Sequence, residues 1–286
     1  MSRILVAGAS GMTGTELAKQ AFDSGWTVTA LGRDALDITD AAAVDVAVRE
    51  ARPDVVVNAA AYTMVDAAET ARDAAMSVNR DGAANLARAS NEFGASIVHI
   101  STDYVFDGES SRPYAPGDPV HPLSVYGESK LAGEDAVRMS SATHAIVRTS
   151  WVYSHTGKSF VRTMLRLAAA GGDIRVVDDQ HGSPTSSADL ATALLGVATA
   201  AARGRLASGT YHFSNAGVTT WCGFARAIFE EKLETSPNVI PITTQEFPTA
   251  ARRPRYSVLN TSGFTAAFGV QPRPWREALR STLELM

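Results

Sequence analysis

One cysteine stands in 286 residues, Cys222, and a single thiol cannot form an internal disulfide framework. No His or cationic motif flanks it, which marks a small core side chain rather than a reactive thiol and fits a reducing compartment. Basic charge is equally scarce. The 26 Lys and Arg are outnumbered by 30 Asp and Glu, for a net charge of −4. Without excess positive surface to neutralise a phosphate backbone, nucleic acid is not an expected partner, although local basic pockets for small anions remain open. No apolar run approaches the ~18 residues that would cross a bilayer. After Met1-Ser2-Arg3 the short apolar run meets a glycine-rich turn at once, too soon for a signal peptide. A soluble, cytoplasmic protein with no membrane partner is expected. His, Cys, Asp and Glu nowhere gather at metal-ligand spacing, so no metal is expected. The chain does have core material, with 45% hydrophobic and 20% charged residues, enough for one large domain or a domain with a smaller partner.

Short apolar runs at Ile4–Val6, Trp26–Leu31, Val55–Val57, Ser96–Ile100 and Ala145–Val147 read as buried strands. Alanine-rich segments with helical periodicity, such as Ala41–Arg52 and Ala74–Phe93, lie between them. Strand and helix alternating at this spacing predict an α/β fold, a Rossmann-type doubly wound parallel sheet covered on both faces. Six prolines between Pro237 and Pro274 break the second half into shorter pieces. A strand is read at Ile174–Val177, with helices at Ala188–Ala202, Trp221–Leu233 and Pro274–Leu285. The expected division is a nucleotide-binding domain over 1–150 and a smaller, mainly substrate-binding lobe over 151–286. Segments near 160–178 are candidates to return to the first domain.

Gly8, Gly11 and Gly14 form G-x-x-G-x-x-G directly after the first apolar run, with Met12 and Thr13 opening the helix that follows. Such a turn lets backbone approach a pyrophosphate, which the helix N-terminus binds through free N–H groups and its dipole. The second strand ends at Leu31-Gly32-Arg33. A guanidinium there suits a 2′-phosphate, which favours NADPH, while Asp34 beside it leaves NADH open until the path of the loop is known. Small residues in Asn58-Ala59-Ala60-Ala61-Tyr62-Thr63 let a dinucleotide lie close to backbone.

The strongest signal is Tyr126-Gly127-Glu128-Ser129-Lys130. Positions four apart share one helix face, so both side chains can enter one cleft. With 7 Tyr and four Lys in the chain, about 0.1 such pairs are expected by chance. A tyrosine is a poor acid near its ordinary pKa of ~10, and an adjacent ammonium is expected to lower it toward the working pH. Ser101-Thr102-Asp103-Tyr104 stands at the carboxyl end of the fourth strand, where ligands bind in open parallel sheets. A hydroxyl there can position the proton transfer.

The glycine spacing and the Tyr-Lys pair resemble the extended short-chain dehydrogenase/reductases. Within them the chain is similar to the dTDP-4-dehydrorhamnose reductase family over nearly its whole length. The matching stretches are Asn58–Thr63 with Val65-Asp66, Ser101–Phe106, Tyr126–Glu134, Arg148–Tyr153, Asp179–Thr185, and Arg253-Pro254 with Ser257 and Leu259. The resemblance implies a nucleotide-sugar substrate and NADPH-dependent reduction at its C4 keto group. Tyr126 would then be the acid, Lys130 the residue that holds the nicotinamide ribose, and Thr102 the hydroxyl that tunes the transfer. Gly8, Gly11, Met12, Thr13, Gly14, Arg33, Asp37, Ile38, Ala61, Tyr62 and Thr63 would flank the cofactor. Asp103, Tyr104, Trp151 and Arg253 would contact the sugar nucleotide, with Arg252 and Arg255 as rivals for the diphosphate. Some members form a dimer around a metal held by acidic side chains. Glu16 stands at one such position, but Ala188 occupies the other with Asp189 only adjacent. A homodimer is therefore left open, without a metal.

Two alternatives compete. A nucleotide-sugar epimerase would share the scaffold; a dehydratase needs a further acidic residue where Tyr104 stands. A non-catalytic NADP-binding regulatory subunit, like the β subunit of methionine adenosyltransferase, would share the fold and serve by binding a partner.

Overall fold

The computed structural model describes residues 2–141 and 143–286. Five apolar runs become parallel strands: β1 (Arg3–Ala7), β2 (Thr27–Leu31), β3 (Val55–Asn58), β4 (Ser96–Thr102) and β5 (His144–Thr149). Their order is β2-β1-β3-β4-β5, and Gly209–His212 pairs parallel to β5 to complete six strands. Val55, Val56 and Val57 are fully buried, as expected of a strand covered on both faces. The chain leaves β1 toward β2 on one side and returns to β3 on the other. That reversal opens a crevice at the carboxyl ends of β1 and β3, where doubly wound sheets bind ligands.

Helix α1 (Met12–Asp23) buries Gly14, Leu17 and Ala21, a helical stripe against the sheet. Helix α2 (Ala41–Ala51) starts where Asp40 accepts from the amides of Ala42 and Ala43. The segment read as one helix over 74–93 is divided. Arg72–Met76 and Gly82–Glu92 are α-helical, and Ser77–Asp81 between them is a π-turn. The wider turn rotates buried Asn79 inward, where its side chain bonds both backbone groups of Tyr62.

The second half does not stay together. Helix Ser187–Ala202 packs its Leu190, Leu194, Val197 and Ala198 into the core beside α1 and β1. It is this segment, with strand Gly209–His212, that returns to the body of the six-stranded sheet. The segments near 160–178 build the smaller lobe instead. Ile174–Val177 pairs with Val239–Ile242, and helices Phe160–Ala170, Trp221–Lys232 and Trp275–Glu284 enclose Tyr153, Phe224, Phe229 and Leu279. Among the described residues, no helix is long and apolar enough to cross a membrane.

Candidate active site

The crevice at the switch point holds two adjoining cavities that share Ser10, Gly11, Ala59, Ala60, Ala61 and Thr63. The first, of about 480 Å³, is lined by Gly8, Arg33, Asp37, Ile38 and Tyr62 among others. Gly8 has φ +80, and a Cβ there would lie 2.5 Å from the Ala60 amide nitrogen. Two backbone segments thus approach too closely for any larger residue. The α1 N-terminus has no side-chain cap and no acidic residue in its first turn, which leaves its amides for an anion. Arg33 lines the far end of this cavity, whereas Asp34 does not. A dinucleotide with a 2′-phosphate fits these residues.

Two of the expected cofactor residues have other duties. Gly14 lies outside both cavities and packs against the Gly8 carbonyl and Ala9, so it lets the helix seat on the turn. Asp37 lines the cavity but accepts from the Thr39 amide and hydroxyl, bonds that hold its carboxyl below the usual range with help from Arg33.

The second cavity, of about 620 Å³, brings together Thr102, Asp103, Tyr104, Tyr126, Lys130 and Trp151. Helix Val125–Ser140 places Tyr126 and Lys130 on one face, and Ser124 caps it by accepting from the Gly127 amide. The Ser101 hydroxyl is spent on Glu134 at 2.6 Å, which leaves Thr102 for the site. Burial is the largest influence on Tyr126 and pushes it up to about 12, against the nearby Thr102 hydroxyl and with help from Asp103. The lysine effect expected from the sequence is absent here. Lys130 is buried, donates to the Ile100 carbonyl at 2.6 Å, and burial lowers it to about 8 despite Glu134. Tyr126 therefore carries its proton throughout the neutral range.

Asp103 is buried beside Thr102, whose hydroxyl donates to its Oδ1 at 3.0 Å. Its Oδ2 has no partner in hydrogen-bond geometry, although nearby Ser257 favours the ionised form. Burial pushes the carboxyl up to about 6, against Ser257, Thr102 and backbone amides. Between its ordinary value near 3.8 and about 6, the folded chain keeps a proton that the unfolded chain releases. Stability from this group is thus complete below 3.8 and lost as pH rises through 6. Asp103→Asn removes that loss, so its gain in melting temperature over wild type is expected to grow from pH 4 to pH 7. A difference flat across that range, measured by thermal unfolding, contradicts the assignment.

Trp151 sits in the left-handed region at φ +48, a strained conformation for a bulky side chain. Its ring stacks on Trp221 with centroids 3.6 Å apart and 7° between planes. On the same indole, a Cβ at Gly182 would collide with Cε2, Cζ2 and Nε1. Trp151 and Trp221 both line the second cavity. Arg253 lies outside the lining of both cavities but beside Tyr104, whose edge packs on Tyr126 at 5.6 Å. It pairs with Asp66 at 2.6 Å. Arg255 lines a separate pocket with Asp179 and His181. Glu16 faces His155 at 3.4 Å, and Asp189 is held by Arg273 and Asn215.

Several contributors escaped the sequence reading. Asn79 ties Tyr62 in the first cavity to Ser129, inside the Tyr-Lys motif, at 2.9 Å. Trp221 and Lys158 join the lining from the smaller lobe. The π-turn that aims Asn79 has no periodicity of its own, and lobe residues far along the chain give no local signal.

The profile of the RmlD substrate binding domain family matches residues 1–286. A dTDP-4-dehydrorhamnose reductase of Streptomyces griseus is 48% identical, covering 97% of this chain and 91% of its own. A probable dTDP-4,6-dihydroxy-2-methyloxan-3-one 4-ketoreductase of Streptomyces antibioticus is 44% identical over 97% and 93%. The crystal structure of dTDP-4-dehydrorhamnose reductase from Bacillus anthracis in complex with NADP superposes with a TM-score of 0.94 at 38% identity, covering the whole of both chains.

Proposed function

The chain belongs to the RmlD substrate binding domain family, and from that premise we propose that it reduces the C4 keto group of dTDP-4-dehydro-L-rhamnose with NADPH, giving dTDP-L-rhamnose. The observation that carries this reading is one continuous crevice with Arg33 at one end and Thr102, Tyr126 and Lys130 at the other. When bound, NADPH supplies the hydride that C4 accepts. The residues around it bind, orient and deliver a proton. Tyr126, held protonated by burial, donates to the developing C4 alkoxide. Lys130 stands one helical turn on, where its ammonium can meet the nicotinamide ribose.

Thr102 has one proton and two neighbours that accept it. With Asp103 ionised, that proton goes to the carboxylate, whose Oδ1 lies 3.0 Å away. With Asp103 protonated it is free to turn to Tyr126 and stabilise the phenolate. Asp103 and Tyr104 face the sugar from the same strand end, and Arg253 supplies a fixed cation for the substrate diphosphate. The lone, buried Cys222 fits a reducing, cytoplasmic setting.

The assignment is tested by following NADPH oxidation with dTDP-4-dehydro-L-rhamnose. One equivalent of cofactor consumed per dTDP-L-rhamnose formed is expected, whereas turnover of a sugar nucleotide without net oxidation would indicate an epimerase. The Streptomyces antibioticus relative favours a second reading, the same C4 chemistry on a different dTDP-linked ring; faster turnover of that sugar would select it. For the cofactor, Arg33→Ser is expected to weaken NADPH about 10- to 100-fold, the worth of a charge-assisted bond, and to leave NADH unchanged. Equal losses for both in a fluorescence titration would remove Arg33 from the 2′-phosphate.

A further inference from the structure

Asp66 and Arg253 lie 187 positions apart and meet across the two halves of the molecule. Asp66 sits in the short helix Val65–Ala68, which directly follows the cofactor-lining stretch Ala59–Met64. Arg253 comes from the extended chain beyond the smaller lobe's Val239–Ile242 strand. The carboxylate takes both terminal nitrogens of the guanidinium, Oδ2 at 2.6 Å and Oδ1 at 3.1 Å. Its Oδ1 also accepts from the Ala251 amide at 3.1 Å. The turn is closed from the other side, since Arg253 donates to the Ala251 carbonyl and to the Thr249 hydroxyl. Arg253 also lies close to Tyr104, whose ring makes a T-shaped contact with Tyr126.

We propose that Asp66 is a positioning residue for the nucleotide-sugar site: it holds Arg253 as a preformed anion clamp beside Tyr104 and pins the 249–253 turn to the nucleotide-binding body. This rests on reading Arg253 as the diphosphate contact. An arginine free at a cleft mouth must lose its rotamers each time an anion binds, and a bidentate carboxylate removes that loss in advance. The same carboxylate also offsets part of the positive charge. Asp66 is half-exposed, at 46% of its side-chain surface, so water and salt screen its repulsion of a phosphate. The geometric gain then exceeds the electrostatic loss.

The test uses the full chain and dTDP as probe, with NADPH affinity, kcat and KM measured alongside. Asp66→Asn keeps the size and one acceptor but loses the charge; it is expected to weaken dTDP about tenfold and raise KM for the nucleotide sugar equally. NADPH affinity, melting temperature and kcat should stay near wild type. Asp66→Glu, which restores a bidentate carboxylate, should recover most of the loss. Tighter dTDP binding by Asp66→Asn would show that Asp66 competes with the phosphate and would overturn the proposal. So would unchanged dTDP binding, or a loss shared equally with NADPH. Arg253→Gln separates the two claims. If Arg253→Gln weakens dTDP while Asp66→Asn does not, the diphosphate reading stands and the positioning role fails. If Arg253→Gln has no effect on dTDP, the diphosphate reading itself fails.

Discussion

Replacing Tyr126 by Phe is expected to lower kcat by about 10²- to 10⁴-fold, the usual worth of a positioned proton donor. The substitution removes a hydroxyl and little else. The ring keeps its edge-on contact with Tyr104, and helix Val125–Ser140 keeps its Ser124 cap, so NADPH should still bind. No neighbour can take over. Lys130 is turned to the Ile100 carbonyl, and Asp103, with its carboxyl at about 6, is mostly ionised at neutral pH and accepts from the Thr102 hydroxyl. Steady-state rates with saturating cofactor and sugar nucleotide decide the matter. A loss below tenfold would mean that the proton comes from elsewhere.

Glu134→Ala is expected to cost about 3–5 kcal/mol of folding stability, the largest effect outside catalysis, because it strands a buried cation. Both oxygens of Glu134 are bonded by Arg148, at 2.8 and 2.7 Å, and both side chains are almost wholly buried. Burial alone would raise the Glu134 carboxyl, but the bonds and charge of Arg148, the Ser101 hydroxyl and Arg138 together hold it below its ordinary value. Arg148 also donates to the Pro116 carbonyl and stands over the Phe106 ring. Against a total of roughly 5–15 kcal/mol for a typical domain, such a loss leaves little margin. Urea unfolding measures it. The double variant Glu134→Met, Arg148→Leu should be markedly less destabilised than Glu134→Ala, since no charge is left unpaired. Equal destabilisation of the two would show that packing volume, not the stranded charge, sets the cost.

The parts of the molecule that could be read from the sequence are those that local physics determines. Buried parallel strands such as Val55–Asn58 announce themselves as unbroken β-branched runs. The glycine turn after β1 and the four-residue spacing of Tyr126 and Lys130 each encode a geometry within a few residues. The division of the second half was not legible, because the apolar stripe of Ser187–Ala202 says that it is buried but not against which body. The direction of Lys130 was not legible either. Its side chain is long, and the Ile100 carbonyl that takes it lies on β4, thirty residues earlier. The same holds for Trp151: the residues its indole packs against, Trp221 and Gly182, come from later in the chain. Ser101 and Thr102 were adjacent candidates for one role, and a glutamate on the facing helix separates them.

In this crevice NADPH would deliver hydride to C4 while Tyr126 protonates the oxygen. Turnover of dTDP-4-dehydro-L-rhamnose with NADPH deuterated at the transferring position, followed by NMR of the product, tests it most directly. One deuterium is expected at C4 of dTDP-L-rhamnose from wild type, with a drastically slower appearance of the same labelled product from Tyr126→Phe. Deuterium at another carbon, or unlabelled product with the cofactor unconsumed, would contradict it.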